Sequence, residues 1–173
     1  MPAKTKKARE KEDQEKSGPR KYLVVVDDSP EFEVAMYYAA RLAARMGGVM
    51  AMLYVSEPLK TSGWFAIQVD APDEPAKRAK QEIEKFRAKL EGRGLKDLST
   101  EAIIRSGDKA EEIIKVIERD SNISVLVLGA SVSQEGPGPL VSSLARGGRV
   151  GKLHLPIIIV PGDLTPEEIE ALA

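Results

Sequence analysis

Five short apolar runs, at residues 22–26, 49–55, 98–104, 125–128 and 157–160, recur along this 173-residue chain with amphipathic stretches between them. A strand that is apolar at nearly every position must be covered on both faces, the condition of a parallel sheet between two layers of helices. Strands alternating with helices, joined by right-handed crossovers, give an α/β fold: a doubly wound, open, five-stranded parallel sheet. The run at 98–104 is more polar, with Ser99, Thr100 and Glu101, and suits an edge strand.

The stretches between the runs carry helix signals. Ser29 is placed to cap a helix with Pro30 in its first turn, and Val34, Tyr38 and Leu42 follow at intervals of four until Gly47 stops it. A second helix is expected over 72–91, striped by Ala76, Ala79, Ile83, Phe86 and Leu90, after a loop holding Trp64 and Phe65. Asp108 and Glu111 have capping-box spacing ahead of Ala110, Ile113, Ile114 and Ile117. Residues 140–153 are expected as a helix weakened by Gly147, Gly148 and Gly151. Thr165, Pro166 and Glu168 open a short final helix.

Three units result: a charged arm over 1–20, disordered by composition, a domain over 21–162, and a short acidic helix over 163–173. Residues 1–21 hold eight basic and four acidic side chains, so a net charge of −1 conceals a basic arm on an acidic body. The sign of the body argues against nucleic acid as a partner. The charged start and the lack of a long apolar run argue against a membrane and for the cytoplasm.

The absence of cysteine excludes disulfides and thiolate chemistry, and the single histidine, His154, excludes a histidine cluster. A carboxylate-held Mg2+ that arrives with a phosphate ligand remains compatible. Neither GxGxxG nor GxxxxGK[ST] occurs. No catalytic group and no protein-held metal site is assigned.

In an open parallel sheet a ligand binds beyond the carboxyl ends of the strands, where the strand order reverses. In the order 3-2-1-4-5 that place lies between the exits of strands 1 and 4, Asp27-Asp28-Ser29 and Gly129-Ala130-Ser131. Each leads to a helix whose first N–H groups suit an anion, while an ionised Asp27 suits hydroxyl or amine donors. The pair fits a nucleoside phosphate, with its sugar or base near Asp27.

The segment Val24-Val25-Val26-Asp27-Asp28-Ser29-Pro30 resembles the VxxDxS opening of the universal stress protein (UspA-type) family. Gly107, the helix after it and Val125-Leu126-Val127-Leu128-Gly129 resemble that family's middle, and Pro156-Ile157-Ile158-Ile159-Val160-Pro161 its closing strand. The resemblance covers residues 20–162. It implies the order 3-2-1-4-5, a Rossmann-like, adenine-nucleotide alpha-hydrolase-like fold, and binding of ATP or another adenine nucleotide with Mg2+.

Carried over by position, Asp27 resembles the residue beside ribose and adenine. Val55 matches the strand-2 residue whose backbone meets adenine, and Gly129, Ser131, Ser142 and Ser143 match the phosphate side. The fingerprint G-x2-G-x9-G-[ST], laid from Gly129, keeps only that glycine and Ser143, with Val132 and Ser142 at the other glycine positions. Counting back from Pro156 shifts the last pair by one residue. Val132 resists positive φ, and Pro137 and Pro139 remove two N–H donors, whereas Gly136 and Gly138 restore freedom and Arg146, Arg149 and Lys152 offer charge.

The resemblance implies that members lacking the fingerprint do not bind ATP, and this sequence sits between the two cases, so three functions compete: a non-catalytic nucleotide sensor, a ligand-free dimeric scaffold, and a weak ATP hydrolase. The apolar fifth strand, last in the order, is an exposed edge. The resemblance implies that it pairs with a second copy to form a homodimer; a further protein partner is unidentified.

Overall fold

The computed structural model describes residues 18–57, 74–133 and 136–173. Most of the N-terminal arm, the loop with Trp64 and Phe65, and the expected start of the second helix at Pro72 lie outside the described residues. The elements are β1 (Lys21–Val26), α1 (Pro30–Met46), β2 (Val49–Ser56), α2 (Glu74–Gly92), β3 (Thr100–Ser106), α3 (Lys109–Arg119), β4 (Ile123–Ala130), α4 (Pro139–Ala145), β5 (Ile157–Pro161) and α5 (Pro166–Leu172). The five strands form one parallel sheet in the order β3-β2-β1-β4-β5. This is the expected doubly wound α/β architecture, with the polar β3 at an edge.

Alternation along β1 divides the core into two. Tyr22, Val24 and Val26 face α1 and α2, together with Met50, Met52, Ile83 and Phe86. Leu23 and Val25 face α3 and α4, together with Leu53, Val55, Ile113 and Leu144. Every one of these side chains is buried, so the continuous apolar run of β1 is explained by cover on both faces. The rings of Phe32 on α1 and Phe86 on α2 meet edge-on with centroids 4.8 Å apart.

The helix ends follow the sequence in part. Gly47 ends α1 at φ 64°, a left-handed conformation that favours glycine. Thr165 and Glu168 form a complete capping box on α5. Asp108 accepts from the Glu111 N–H at 3.0 Å, which is one half of the expected box. Ser29 holds the cap position of α1, but its hydroxyl makes no cap bond, because it donates to Asp27 instead.

The expected helix over 140–153 is corrected: α4 stops at Ala145, and two 3-10 turns, Arg146–Gly148 and Val150–Lys152, replace the rest. The break is at Arg146, whose backbone is extended at φ −77° and ψ 149°, and Gly148 at φ 69° keeps the residues beyond it from rejoining a right-handed helix, where glycine in any case pays more backbone entropy than other residues. The final helix α5 packs on α1. Ile169 and Ala173 join the α1 core, and the Tyr37 hydroxyl donates to Glu170 at 2.6 Å.

At the opposite end of the sheet from the strand exits, Lys21 Nζ lies 2.5 Å from Glu101 and 2.7 Å from Asp120. Burial opposes the charge on Lys21, but hydrogen bonds and attraction from these two carboxylates outweigh it and raise its pKa above the ordinary 10.5. Its contribution to stability is therefore complete below the ordinary pKa and is lost as pH rises through the raised one. As pH rises from about 10 through the raised pKa, the urea midpoint should fall less in Lys21→Met than in the native protein. Equal falls would show that the lysine is not coupled to folding.

Candidate functional site

β1 leads to β2 on one side of the sheet and β4 leads to β5 on the other, so their exits lie at the point where the winding reverses. Two cavities adjoin there. One, of about 570 Å3, is lined by Glu31, Ser131, Ser133, Ser142, Arg146 and Arg149, among others. The second, of about 450 Å3, is lined by Asp27, Asp28, Ser29, Glu57, Asp108 and Lys109, among others. Pro139 and Ser143 line both. Each has the volume of a small-molecule site.

In the second cavity the Asp27 carboxylate is oriented by its own turn. Ser29 donates its backbone N–H at 2.9 Å and its hydroxyl at 2.5 Å to the same oxygen, Oδ1. Two donors on one oxygen leave Oδ2 free of these bonds as an acceptor at the rim. In the first cavity the Arg149 guanidinium donates to the Ser143 carbonyl at 3.1 Å and to its hydroxyl at 3.3 Å. These bonds hold a cation beside the hydroxyl where the two cavities meet.

The loop after β4 closes largely on itself. The Ser131 N–H donates to the Pro137 carbonyl at 3.2 Å, and Gly136 N–H to the Ser133 carbonyl at 3.4 Å. The Ser133 N–H donates to the Ser131 hydroxyl oxygen at 3.3 Å. Positive φ occurs at Gly136 (120°) and Gly138 (95°), while Val132 keeps negative φ and exposes 63% of its surface. The glycines thus supply the turn that a valine cannot. The helix start expected to receive an anion is short: α4 has seven residues and begins with Pro139, which takes one N–H out of its first turn.

Of the residues singled out in the sequence, Asp27, Ser131, Ser142 and Ser143 line the cavities, whereas Val55 and Gly129 do not. Val55 is buried in the α3 face of the core, two residues before Glu57 at the rim. Arg146 and Arg149 face the first cavity; Lys152 does not line it. Glu31, Asp108 and Lys109 are additions. Their signal was weak, because each lies in the first turn of a helix or caps it, where charged residues are common.

Gly129 has a packing role instead. A Cβ there would stand 2.5 Å from the Glu31 carbonyl oxygen, and one at Gly162 would stand 2.7 Å from the Glu31 Cβ. Both glycines admit the first turn of α1 onto the ends of β4 and β5. No group of three or more potential metal ligands occurs among the described residues.

The universal stress protein family model matches residues 19–147. This chain belongs to the universal stress protein family. Similar solved structures include UspA from Lactobacillus plantarum, at 20% identity and TM-score 0.52, covering 83% of this chain and 99% of that one. A universal stress protein from Archaeoglobus fulgidus in complex with dAMP is similar at 20% identity and TM-score 0.51, covering 81% of this chain and 96% of that one. Another universal stress protein, in complex with cAMP, is similar at 16% identity and TM-score 0.57, covering 83% and 98%. No curated protein matches the chain in sequence. At these identities the likeness establishes the fold.

The contact at Gly129 is with rigid backbone, so this universal stress protein should not accommodate even a methyl group. Gly129→Ala should lower stability by about 1–3 kcal/mol, read from chemical denaturation. An unchanged midpoint would mean that α1 can lift from the sheet without cost.

Proposed function

We propose that this universal stress protein binds an adenine nucleotide across the two joined cavities without turning it over. The observation that carries the reading is their opposed chemistry about Ser143: carboxylates led by Asp27 on one side, hydroxyls with Arg146 and Arg149 on the other. Ribose hydroxyls donate to Asp27, the backbone at Val55 meets adenine, and the phosphate lies toward Ser131, Ser142, Ser143 and Arg149. Gly129 contributes by keeping the strand exit clear of a side chain. Two similar family structures hold adenine nucleotides, dAMP and cAMP, which supports the class of ligand.

A non-catalytic role is supported by the phosphate side, which has arginines and hydroxyls but no lysine-bearing phosphate loop to position a hydrolytic water. Mg2+ enters, in this reading, only with a polyphosphate ligand. Where the phosphate also recruits the N–H groups of Ser131, Ser133 and Gly136, occupancy reorders the loop after β4 and alters a surface read by a protein partner. No described helix is long and apolar enough to cross a membrane, which suits a cytoplasmic setting.

The edge of β5, unpaired among the described residues and with Ile159 half exposed, supports a homodimer through that strand. A ligand-free scaffold is the second reading, favoured by the loop N–H groups that are already bonded within the loop.

Calorimetry with AMP, ADP and ATP separates the two readings. Binding heat should appear and weaken about tenfold in Arg149→Ala, since a charge-assisted contact is lost. No heat and no thermal shift at millimolar ligand would leave the scaffold. Light scattering at micromolar concentration should give a dimer that Ile159→Lys dissociates; a native monomer would remove the β5 interface.

A further inference from the structure

The side of the crevice that would take phosphate carries a carboxylate of its own. Glu31 lines the same cavity as Arg146, Arg149 and the serines. Its backbone and Cβ are wedged against Gly129 and Gly162, and its Oε1 stands 3.5 Å from the position of a Cβ on Gly138. The side chain is thereby kept at the foot of the 136–138 turn. It is half-buried, and among the described residues it makes no hydrogen bond or ion pair that would neutralise it.

Part of the backbone donor set on this side is already used. Ser131, Ser133 and Gly136 spend their N–H groups within the loop, and Pro137 and Pro139 have none. Neutralisation of a bound anion falls to two guanidinium groups, Arg146 and Arg149. After Glu31 is counted, this wall of the cavity bears one net positive charge. A single terminal phosphoryl group, at about −1.5 to −2 near neutral pH, already uses up that charge, and each further phosphoryl group adds on the order of one more negative charge with nothing left to offset it.

We propose that Glu31 restricts this crevice to adenine nucleotides with a single phosphoryl group by repelling the distal phosphates of ADP and ATP. The inference rests on the adenine-nucleotide reading above. It makes Glu31 a specificity-determining residue whose backbone holds α1 on the sheet while its carboxylate grades the ligand's charge.

The test is calorimetry of the full chain with AMP and with ATP in buffer containing EDTA, so that no divalent cation screens the phosphates. The native protein should bind AMP about tenfold more tightly than ATP. Glu31→Gln removes the charge and keeps the shape; its ATP affinity should rise about tenfold while AMP changes little. Glu31→Asp, which keeps the charge, should preserve the preference.

Arg146→Gln provides a second reading at an exposed position. It lowers the positive charge and should widen the gap between AMP and ATP. Native affinity for ATP equal to that for AMP, or a ratio unmoved by both Glu31→Gln and Arg146→Gln, overturns the proposal while leaving nucleotide binding intact. Failure of native protein to bind either nucleotide overturns the adenine-nucleotide reading itself, and this inference with it.

Discussion

β1 is buried on both faces and hydrogen-bonded along both edges, to β2 and to β4, and the rest of the domain is arranged around that confinement. A central strand with no solvated face requires helices on each side, and its two apolar rows define two separate cores. Because β2 and β4 flank it while the chain winds outward in both directions, its exit is also where helices part. The crevice is thus a geometric product of the order β3-β2-β1-β4-β5 and needs no special loop to exist.

What fills the floor of that crevice depends on how closely α1 can approach. Its first turn rests on Gly129 and Gly162 at distances that leave no room for a methyl group. The glycine that opens the nucleotide fingerprint is therefore accounted for by helix packing. Such a residue carries two meanings in sequence, close approach of a ligand or close approach of the chain itself, and the second needs no ligand. The same seating delivers Glu31 to the phosphate side, so the packing of α1 and the charge of the crevice are linked through one residue.

The fold was legible because it rests on long periodic signals. Five apolar runs, the helix stop at Gly47 and the box at Thr165 and Glu168 each follow from local chemistry that tertiary contacts reinforce. The site was legible in part. Asp27 and Ser131 were marked by the strand exits at the switch point and Ser142 and Ser143 by the family fingerprint laid from Gly129, and all four reach the cavities.

Where sequence reasoning failed, competing bonds decided the outcome. Ser29 could cap α1 or bond Asp27, and the carboxylate two residues away took the hydroxyl. The length of α4 depended on how far the chain would stay helical toward a glycine-rich stretch, and the backbone turned extended at Arg146 (φ −77°, ψ 149°), just ahead of the glycines. Glu31 gave no usable signal, since an acidic residue in a helix's first turn is favoured by the helix dipole whatever lies above it.

The loop after β4 then decides how strongly anything in the crevice can be read elsewhere in the molecule. Its internal bonds, from Ser131 to Pro137, Ser133 to Ser131 and Gly136 to Ser133, span 3.2–3.4 Å, the long end of hydrogen-bond geometry. A ligand that recruits those N–H groups must first break these bonds, and it gains only the difference between a phosphate contact and a weak internal one. A ligand held by Arg149 and the serine hydroxyls leaves them intact and alters the loop little. Signalling by this loop therefore requires an anion that competes for backbone N–H groups, and the carboxylate of Glu31 at its foot sets how much negative charge such an anion can bring.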